Sequence, residues 1–262
     1  MSILLEDLND GLLTLTLNRP EKRNALSLEL SESLVVALRY ARDDIQVRAV
    51  LVAGSGRAFC VGGDVGEIAE SNPAGSSLEA QAGQLYAATE ASLLLHEMPK
   101  PTIAAVRGGT AGAGLSLALS CDIRIASDTL KITSAFAKVG LSGDFGGSYF
   151  LSKLLGPRAK HFIMTSPLLL AEQALNMGLV SEVVPDAELD ARAVAVARSL
   201  ADGPTIALGY IKENLNFAEQ GNSLNEVLRH ESLRHIRCAM TEDHREGAMA
   251  FFEKRSPHFQ HR

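Results

Sequence analysis

The sequence predicts an α/β fold, and three observations support this prediction. Short apolar runs alternate with helical patterns as far as about residue 135. Beyond residue 146 the chain shows one helical pattern after another and no further clear strand. With 262 residues and 46% hydrophobic content, the chain is large enough for one large domain, or for a core with a smaller appendage.

The N-terminal segment predicts a β-hairpin. Two apolar runs, residues 3–8 and 12–17, flank Asn9-Asp10-Gly11, and an Asp-Gly turn between apolar runs is typical of a hairpin. A charged loop, Asn18–Ala25, follows and contains Pro20.

The first long helix is predicted to begin after Ser27, a good N-cap, and to end near Arg42. Its apolar residues recur at helical spacing and define one buried face. They are Leu30, Leu34, Ala37, Leu38 and Ala41.

The middle of the chain alternates strands and helices. The run 47–53 is apolar throughout and short enough for a buried strand. Pro99 and Pro101 end a helix that precedes them. The remaining predicted elements are a short helix at 64–70, a loop at 71–77, a helix at 78–97, a strand at 102–107, a helix at 112–120 and a strand at 121–126.

The C-terminal part is predicted to be helical. A change of composition near residues 180–200 predicts a core domain at 1–195 and a helical region at 196–262, whose apolar stripes suggest an oligomer surface. The predicted helices are 146–155, 157–165, 171–177, 186–201, 203–219, 221–237 and 241–254.

Composition argues against several classes of function. The net charge of −6 disfavours a general nucleic-acid partner. We expect no signal peptide and no membrane span, hence a cytoplasmic protein. The three cysteines lack paired spacing and are expected in the core of a protein from a reducing compartment. The histidines form no metal-binding pattern, and five are expected on helix surfaces, namely His96, His161, His230, His235 and His244.

Two glycine-rich stretches carry the chemistry. They are RAFCVGGDVGE (Arg57–Glu67) and VRGGTAGAGLSLALSCD (Val106–Asp122), and each joins an apolar run to a predicted helix. Small residues let backbone N–H groups approach a ligand closely, and the first turn of a helix leaves such donors unpaired. Two donors that converge on one point would stabilise an oxyanion. The glycine spacing does not match a dinucleotide loop or a P-loop.

Taken together, the motifs resemble the enoyl-CoA hydratase/isomerase, or crotonase, superfamily. The resemblance rests on NRPEKRNALS, AFCVGGDVGEI, PKPTIAAVRGGTAGAGLSLALSCDIRIAS, AFAKVGLSGDFGGSYFLSKLLGPRAK and AFFEKRSPHF, in matching order over nearly the whole chain. It implies a spiral core of ββα units, with two roughly perpendicular sheets and a C-terminal helical trimerisation region. It also implies an acyl-CoA thioester substrate, whose CoA is part of the substrate and not a separate cofactor, and a homotrimer or a dimer of trimers.

The resemblance assigns two backbone donors to an oxyanion hole. The residue before the aspartate of AFCVGGD is Gly63, and the middle residue of the small triplet in GTAGAGLSLA is Ala113. Alanine replaces the glycine of many relatives at the second position, which a backbone donor tolerates if its dihedrals are helical. We interpret the neighbouring Asp64 as an N-cap or turn-stabilising carboxylate.

The carboxylates depart from the hydratase pattern. Where hydratases of the superfamily have two water-activating glutamates, this chain has Ser116 and Phe136. Neither side chain can act as a carboxylate base, which disfavours water addition. Ser116 is interpreted as a packed helix residue and not as a nucleophile.

Asp144 is the remaining candidate acid/base. The pattern AF-x-K-x-GL-x-x-D-x-GG is similar to isomerases of the phenylacetate-pathway type, and Asp144 is its aspartate. The alternative interpretation of Asp144 is an N-cap for the helix at 146–155. A lone carboxylate in an apolar pocket has a raised pKa and can take and return a proton.

The resemblance also suggests contacts with CoA. These are Arg23, Lys254 from a neighbouring subunit, and backbone groups of Ala25, Gly63 and Gly66. Arg23 and Lys254 are equally compatible with solvated surface charges.

We therefore expect an enoyl-CoA isomerase that uses one aspartate. Two alternatives stay open at this point. One is a hydratase or CoA-ester hydrolase with water activated by Asp144, and the other is a non-catalytic acyl-CoA binding subunit.

Overall fold

The structure is a computed structural model that describes residues 2–64, 66 and 77–261. It confirms the α/β class and contains two sheets. The predicted short helix at 64–70 and the predicted loop at 71–77 lie largely outside the described residues.

The larger sheet has six strands in the order β1-β2-β3-β5-β7-β10. β1 and β2 form the predicted antiparallel hairpin, and every later pairing in this sheet is parallel. Numbered in chain order, its strands are β1 (Leu4–Asn9), β2 (Leu12–Leu17), β3 (Ala49–Gly54), β5 (Thr102–Val106), β7 (Ile123–Ser127) and β10 (Glu182–Val184).

The smaller sheet has four strands in the order β4-β6-β8-β9. β4, β6 and β8 pair in parallel, and β9 returns antiparallel to β8. Its strands are β4 (Ala58–Cys60), β6 (Gly109–Ala111), β8 (Lys131–Thr133) and β9 (Leu169–Leu170).

The expectation of no strand beyond residue 146 is wrong, because β9 and β10 both lie there. Strands of two or three residues show too little alternation of apolar and polar side chains to be detected in a sequence. They form because neighbouring strands supply their hydrogen-bond partners.

The described helices follow the predicted pattern closely. Ser27 caps α1 through its side chain, which accepts a hydrogen bond from Leu30 N–H at 3.2 Å. The helices are α1 (Leu28–Asp43), α2 (Leu78–Glu97), α3 (Ala113–Leu119), α4 (Gly147–Leu155), α5 (Arg158–Thr165), α6 (Ala171–Asn176), α7 (Leu189–Ala201), α8 (Thr205–Glu219), α9 (Leu224–Ala239) and α10 (Glu242–Glu253). Short 3-10 turns span Pro20–Lys22, Phe136–Val139 and Asp186–Glu188. In the described part of the chain, none of the helices combines the length and apolarity required to cross a membrane.

The central strands of the larger sheet, β3 and β5, are buried on both faces, as their continuous apolar runs require. On β3, Val50 and Val52 join the main core with α1 and α2, while Leu51 points to the opposite face. α7 covers that opposite face with a row of one leucine and three alanines at a spacing of four. The row consists of Leu189, Ala193, Ala197 and Ala201.

The predicted domain boundary between residues 195 and 196 falls inside α7. Because Ala197 and Ala201 are fully buried against the larger sheet, the core continues to the end of this helix. The helices α8, α9 and α10 follow it.

Candidate active site

The two glycine-rich turns lie side by side at one edge of the smaller sheet. β4 and β6 run parallel, so the turns after Cys60 and Ala111 leave the sheet at the same end. Gly62 has φ of +99°, and a methyl group there would lie 3.6 Å from the Ala113 amide nitrogen. The structure thus brings together the two segments that the sequence assigned to one oxyanion hole.

The backbone around these turns leaves the two predicted donors available. Leu26 N–H donates to Gly62 O at 2.8 Å, and Asp64 N–H donates to Leu26 O at 2.9 Å. These two hydrogen bonds form a parallel β-bridge between Leu26 and Gly63. In such a bridge the N–H group of Gly63 faces away from Leu26. Ala113 is the first residue of α3, where an amide has no partner within its own helix. Within the described residues, neither amide donates to a backbone carbonyl.

Asp64 stabilises the first turn. Its carboxylate accepts a hydrogen bond from Gly66 N–H at 3.1 Å and forms an ion pair with Arg19, whose Nη2 lies 2.8 Å from Oδ2. The Asp64 side chain is buried and committed to these partners. The geometry therefore agrees with the interpretation as a turn-stabilising carboxylate.

Asp144 lies in the loop between the 3-10 turn Phe136–Val139 and α4. It does not cap α4, because the N-cap residue is Gly146 and makes no side-chain cap. The alternative interpretation of Asp144 as an N-cap is therefore wrong. Its backbone carbonyl accepts Gly147 N–H at 3.0 Å, while its Oδ1 atom is buried and has no hydrogen-bond partner in the described chain.

Burial raises the pKa of Asp144 to about 6, because an ionised carboxylate loses hydration there. The nearby Cys60 thiol has its pKa raised to about 12, first by burial and further by the charge of Asp144. Cys60 therefore stays protonated near neutral pH. Asp144 is thus poised to exchange a proton in this range.

The Phe136 ring lies between the second glycine turn and the Asp144 loop. A methyl group on Gly112 would lie 3.8 Å from this ring, and one on Gly143 or on Gly147 would lie 3.9 Å from it. Phe136 is 9% exposed. The ring therefore provides an apolar wall beside the residues that flank Asp144.

The space beside Ser116 and Phe136 leaves little room for water. Ser116 is buried on α3, and its hydroxyl donates to Gly112 O at 3.2 Å, as expected for a packed helix residue. Gly147 approaches so closely that a methyl group there would lie 2.5 Å from Ser116 Oγ. The cavity beside Ser116 and Phe136 has a volume of about 10 Å³, whereas one water molecule needs about 10–15 Å³.

The predicted CoA contacts divide into two groups. The first group lies in one neighbourhood and consists of Ala25, Gly63 and Gly66. Arg19 donates to Ala25 O at 2.7 Å and pairs with Asp64, which follows Gly63 in the chain and accepts a hydrogen bond from Gly66 N–H. Ala25 N–H already donates to Lys22 O. Arg23 is exposed beside this neighbourhood.

Lys254 lies at the exposed C-terminal end of α10. Among the described elements, that helix makes its main contact with α9. The structure therefore does not bring Lys254 to the other predicted CoA contacts of the same chain.

A larger cleft escaped prediction from the sequence. It has a volume of about 1010 Å³ and lies between α2, α4, α8 and α9, with Gly146 in its wall. We call it the aromatic cleft, after the ring-bearing residues in its lining. They are Tyr86, His96, Tyr149, Phe150, Phe217 and His230.

Two histidines expected on helix surfaces line this cleft instead. His96 is half-buried, and its ring contacts those of Tyr149 and Phe150 edge to face, with centroids 5.7 Å and 5.3 Å away. His230 stacks on Phe217 with ring centroids 4.1 Å apart. The adjacent Tyr149 and Phe150 in α4 and Phe217 in α8 were the available signal, but the sequence did not show that these helices face each other.

Comparison with known proteins relates the chain to one family. The family model described as "Enoyl-CoA hydratase/isomerase" matches residues 7–262. The chain is 38% identical to the 1,2-epoxyphenylacetyl-CoA isomerase of Escherichia coli K12, over 99% of this chain and 98% of that protein. It is 37% identical to a "Probable enoyl-CoA hydratase" of Rhodobacter capsulatus, over 97% and 96% of the two chains. The crystal structure of an enoyl-CoA hydratase from Bacillus anthracis superposes with a TM-score of 0.93, at 30% identity over the full length of both chains.

Proposed function

We propose, from the premise that the chain belongs to the enoyl-CoA hydratase/isomerase family, that it moves a double bond within an enoyl-CoA thioester. Its relatives include both isomerases and hydratases. Family membership therefore makes it an enzyme acting on CoA thioesters, and the choice of reaction rests on the site.

The proposed reaction begins at the oxyanion hole. Gly63 N–H and Ala113 N–H donate hydrogen bonds to the thioester oxygen, which polarises the carbonyl group. The Asp144 carboxylate then removes a proton from the acyl carbon next to the thioester, and the electron pair moves onto the carbonyl oxygen as a dienolate. The two amide donors stabilise that charge.

Asp144 then returns the same proton to a different carbon of the dienolate. The electrons of the dienolate re-form the thioester carbonyl, and the double bond changes its position. No atom is gained or lost, so the reaction requires no water.

The observation that carries the proposal of isomerisation is the environment of Asp144, and the residues at the hydratase positions add to it. Its Oδ1 atom is buried without a partner and its pKa is raised to about 6. The hydratase positions hold Ser116 and Phe136 around a cavity of about 10 Å³. One base that can be protonated and deprotonated near neutral pH suits a proton shuttle.

The test is conversion of 3-hexenoyl-CoA to 2-hexenoyl-CoA by the wild type and by Asp144→Asn. We expect kcat/KM to fall by about 10²–10⁴-fold in the variant, because general acid–base catalysis is lost. Asp7→Asn, an exposed aspartate on β1, is the matched control and should retain wild-type activity. Turnover by Asp144→Asn within a factor of two of the wild type would exclude Asp144 as the base.

Hydration and hydrolysis are measured in the same experiment. Loss of enoyl absorbance with crotonyl-CoA reports hydration, and release of free thiol reports hydrolysis. If either is faster than isomerisation, water activation by Asp144 replaces the proposal. If the protein binds CoA esters in a calorimeter but turns over none of them, it is a binding subunit.

We also propose a homotrimer, or a dimer of trimers, in which Lys254 contacts the CoA of a neighbouring subunit. Three side chains of the C-terminal helices support an assembly, since Met240, Phe251 and Phe252 are 82%, 88% and 85% exposed. Exposed apolar side chains of this size are typical of interfaces. Sedimentation equilibrium tests the proposal, and a monomeric mass would contradict it.

We propose a reducing, cytoplasmic location, which the three unpaired cysteines support.

A further inference from the structure

The proposed oxyanion donor at Gly63 belongs to a peptide group that other residues hold in place. Gly62 C=O and Gly63 N–H share this peptide, which is trans, like every peptide bond in the described chain. In a planar trans peptide the C=O and N–H groups point in opposite directions. Leu26 N–H donates to Gly62 O at 2.8 Å, so this hydrogen bond sets the direction in which Gly63 N–H points.

The Leu26 donor is itself part of a second peptide group. Ala25 C=O shares that peptide, and Ala25 O accepts a hydrogen bond from Arg19 Nη1 at 2.7 Å. These groups form one chain of hydrogen bonds, which we call the Arg19 relay. It runs from the Arg19 guanidinium through the Ala25–Leu26 peptide and the Gly62–Gly63 peptide to the Gly63 N–H group.

The guanidinium at the start of the relay is oriented by a second bond. Arg19 Nη2 lies 2.8 Å from Asp64 Oδ2, and the side chains of Arg19 and Asp64 are only 14% and 8% exposed. The planar fork of an arginine directs its donors at fixed angles. The bond to Asp64 therefore helps to set the angle at which Nη1 meets Ala25 O.

The main chain of Arg19 is anchored as well. Arg19 N–H donates to Asn24 Oδ1 and Arg19 O accepts from Asn24 N–H, both at 2.9 Å. Asn24 is fully buried, and its Nδ2 atom donates to Ser55 O at 2.9 Å and to Ala58 O at 2.8 Å. Because Ala58 begins β4, the base of the Arg19 side chain is fixed to the strand that leads into the first glycine turn.

We infer that Arg19 is a positioning residue of the proposed oxyanion hole, which fixes the direction of Gly63 N–H through the Arg19 relay and strengthens that amide as a donor. Hydrogen bonds in a chain polarise one another, and a charged donor forms stronger ones than a neutral donor. Arg19 acts in this way without contact with the substrate. The inference rests on the proposed function, because it requires a thioester oxygen at Gly63 N–H.

Infrared spectroscopy of a bound thioester tests the relay without requiring turnover. The probe is hexanoyl-CoA, isotopically labelled at the thioester carbonyl carbon, and the measured quantity is the frequency of the C=O stretching band. Hydrogen bonds to the oxygen lower this frequency because they polarise the carbonyl group. We expect binding to the wild type to lower the frequency, and binding to Arg19→Met to lower it less.

Two outcomes of this experiment would overturn the inference. An equal shift in the wild type and in Arg19→Met would overturn the inference alone. No shift in the wild type would overturn it together with the proposed oxyanion hole.

Variants of Asp64 keep the test available if Arg19→Met does not fold. That variant leaves the buried Asp64 carboxylate without its Arg19 partner, which is costly. Arg19→Met/Asp64→Asn removes the charge and should show the same reduced shift. Asp64→Asn alone still offers Arg19 an oxygen and should keep most of the wild-type shift. If Asp64→Asn reduces the shift as much as Arg19→Met does, loss of the ion pair explains the effect and the relay is excluded.

Steady-state kinetics with 3-hexenoyl-CoA gives an independent measurement. Because an oxyanion donor acts mainly in the transition state, kcat should fall by about 10- to 100-fold in Arg19→Met, with KM changed by less than about threefold. A raised KM with unchanged kcat would make Arg19 a binding residue and overturn the inference.

Arg39→Met is the matched control. Arg39 is 55% exposed on α1 and pairs with Glu90, so its replacement should leave both kcat and the band shift unchanged. An equal loss in this control would contradict a specific role of Arg19. The inference and the proposed reaction fail separately, because isomerisation can proceed without the relay, and the band shift can depend on Arg19 in a protein that hydrates or hydrolyses thioesters.

Discussion

At the residue scale, the chemistry depends on the cost of burying one carboxylate. Burial is the cause that raises the pKa of Asp144 to about 6, and no neighbouring cation offsets it in the described chain. The nearby Phe136 ring keeps the surroundings apolar, and the small cavity beside it limits hydration of the site. The same burial that suits Asp144 to the proposed role of a base near neutral pH therefore costs the protein stability.

The pH dependence of activity follows from this shift. Because the base must be ionised in the free enzyme, kcat/KM for isomerisation should rise with pH and level off above an apparent pKa near 6. The measurement is a pH–rate profile from pH 4.5 to 8.5 in constant ionic strength. A profile that is flat down to pH 4.5 would mean that the essential base has an ordinary carboxylate pKa.

Stability should change in the opposite sense. The folded-state pKa of Asp144, about 6, lies above its ordinary value of 3.8, so the folded state holds the proton more tightly between these values. The contribution of Asp144 to stability therefore falls as pH rises from about 4 to above 6. Asp144→Asn should be more stable than the wild type at pH 8 by about 1–2 kcal/mol, after allowance for solvent screening.

Urea denaturation at pH 8 and at pH 4 measures this difference. At pH 4 the carboxyl group is protonated in the folded state, so the variant and the wild type should differ little. A variant that is less stable than the wild type at pH 8 would show that Asp144 has a stabilising partner.

At the element scale, the proposed oxyanion hole depends on the contact between α3 and β4. A methyl group on Gly114 would lie 2.2 Å from Cys60 O, and this neighbour is backbone that cannot rotate away. Glycine at this position therefore lets the first turn of α3, with Ala113, approach the edge of the smaller sheet.

Gly114→Ala should destabilise the protein by about 1–3 kcal/mol, as overpacking of a tight contact does. It should also reduce kcat, because the displacement of α3 moves the Ala113 donor. The control is Gly83→Ala in α2, where an added methyl group meets no atom within 4 Å. That variant should be more stable by about 0.5–1 kcal/mol.

Thermal unfolding and steady-state kinetics of both variants provide the measurement. Equal stability of Gly114→Ala and the wild type would mean that α3 has room to move away from β4.

At the scale of the whole molecule, the chain end ties the C-terminal helices to the core. Asp243, near the start of α10, accepts hydrogen bonds from Gln260 N–H at 2.5 Å and from His261 N–H at 3.1 Å. The His261 ring then contacts Thr205 at the start of α8, with Nδ1 2.9 Å from Oγ1, and Arg48 before β3. The last residues thus join three elements that are distant in sequence.

Asp243→Ala should release this segment, because two backbone donors lose their acceptor. Hydrogen exchange of residues 256–261, followed by mass spectrometry, should become at least about tenfold faster than in the wild type. Glu231→Ala, an exposed position on α9, is the control and should leave the exchange unchanged. Unchanged exchange in Asp243→Ala would show that other contacts hold the chain end.

Much of the fold could be predicted from local sequence. The Asp10-Gly11 turn has positive φ at both residues, 45° and 85°, as the hairpin signal requires. The predicted helix at 78–97 coincides with α2, because Ser77 caps its start and Pro99 follows its end. In these cases the deciding interactions lie within a few residues of each other.

The smaller sheet and the aromatic cleft could not be predicted in this way. β4, β6 and β8 have three residues each, and they are strands only because they pair with one another. His96, Tyr149 and Phe217 meet across helices that are far apart along the chain. No local period in the sequence reports such a meeting.

Local sequence was sufficient to predict the order of the main helices and long strands and the two glycine-rich turns, and it shows that positions 116 and 136 lack glutamate. These depend on side-chain type and short-range spacing, which a sequence contains. The tertiary structure was needed to show that Asp144 does not cap α4, that its Oδ1 atom is buried without a partner in the described chain, and that Gly146 lies in the wall of an aromatic cleft. Burial and desolvation depend on the arrangement of distant segments around a group, and they exist only once the chain is folded.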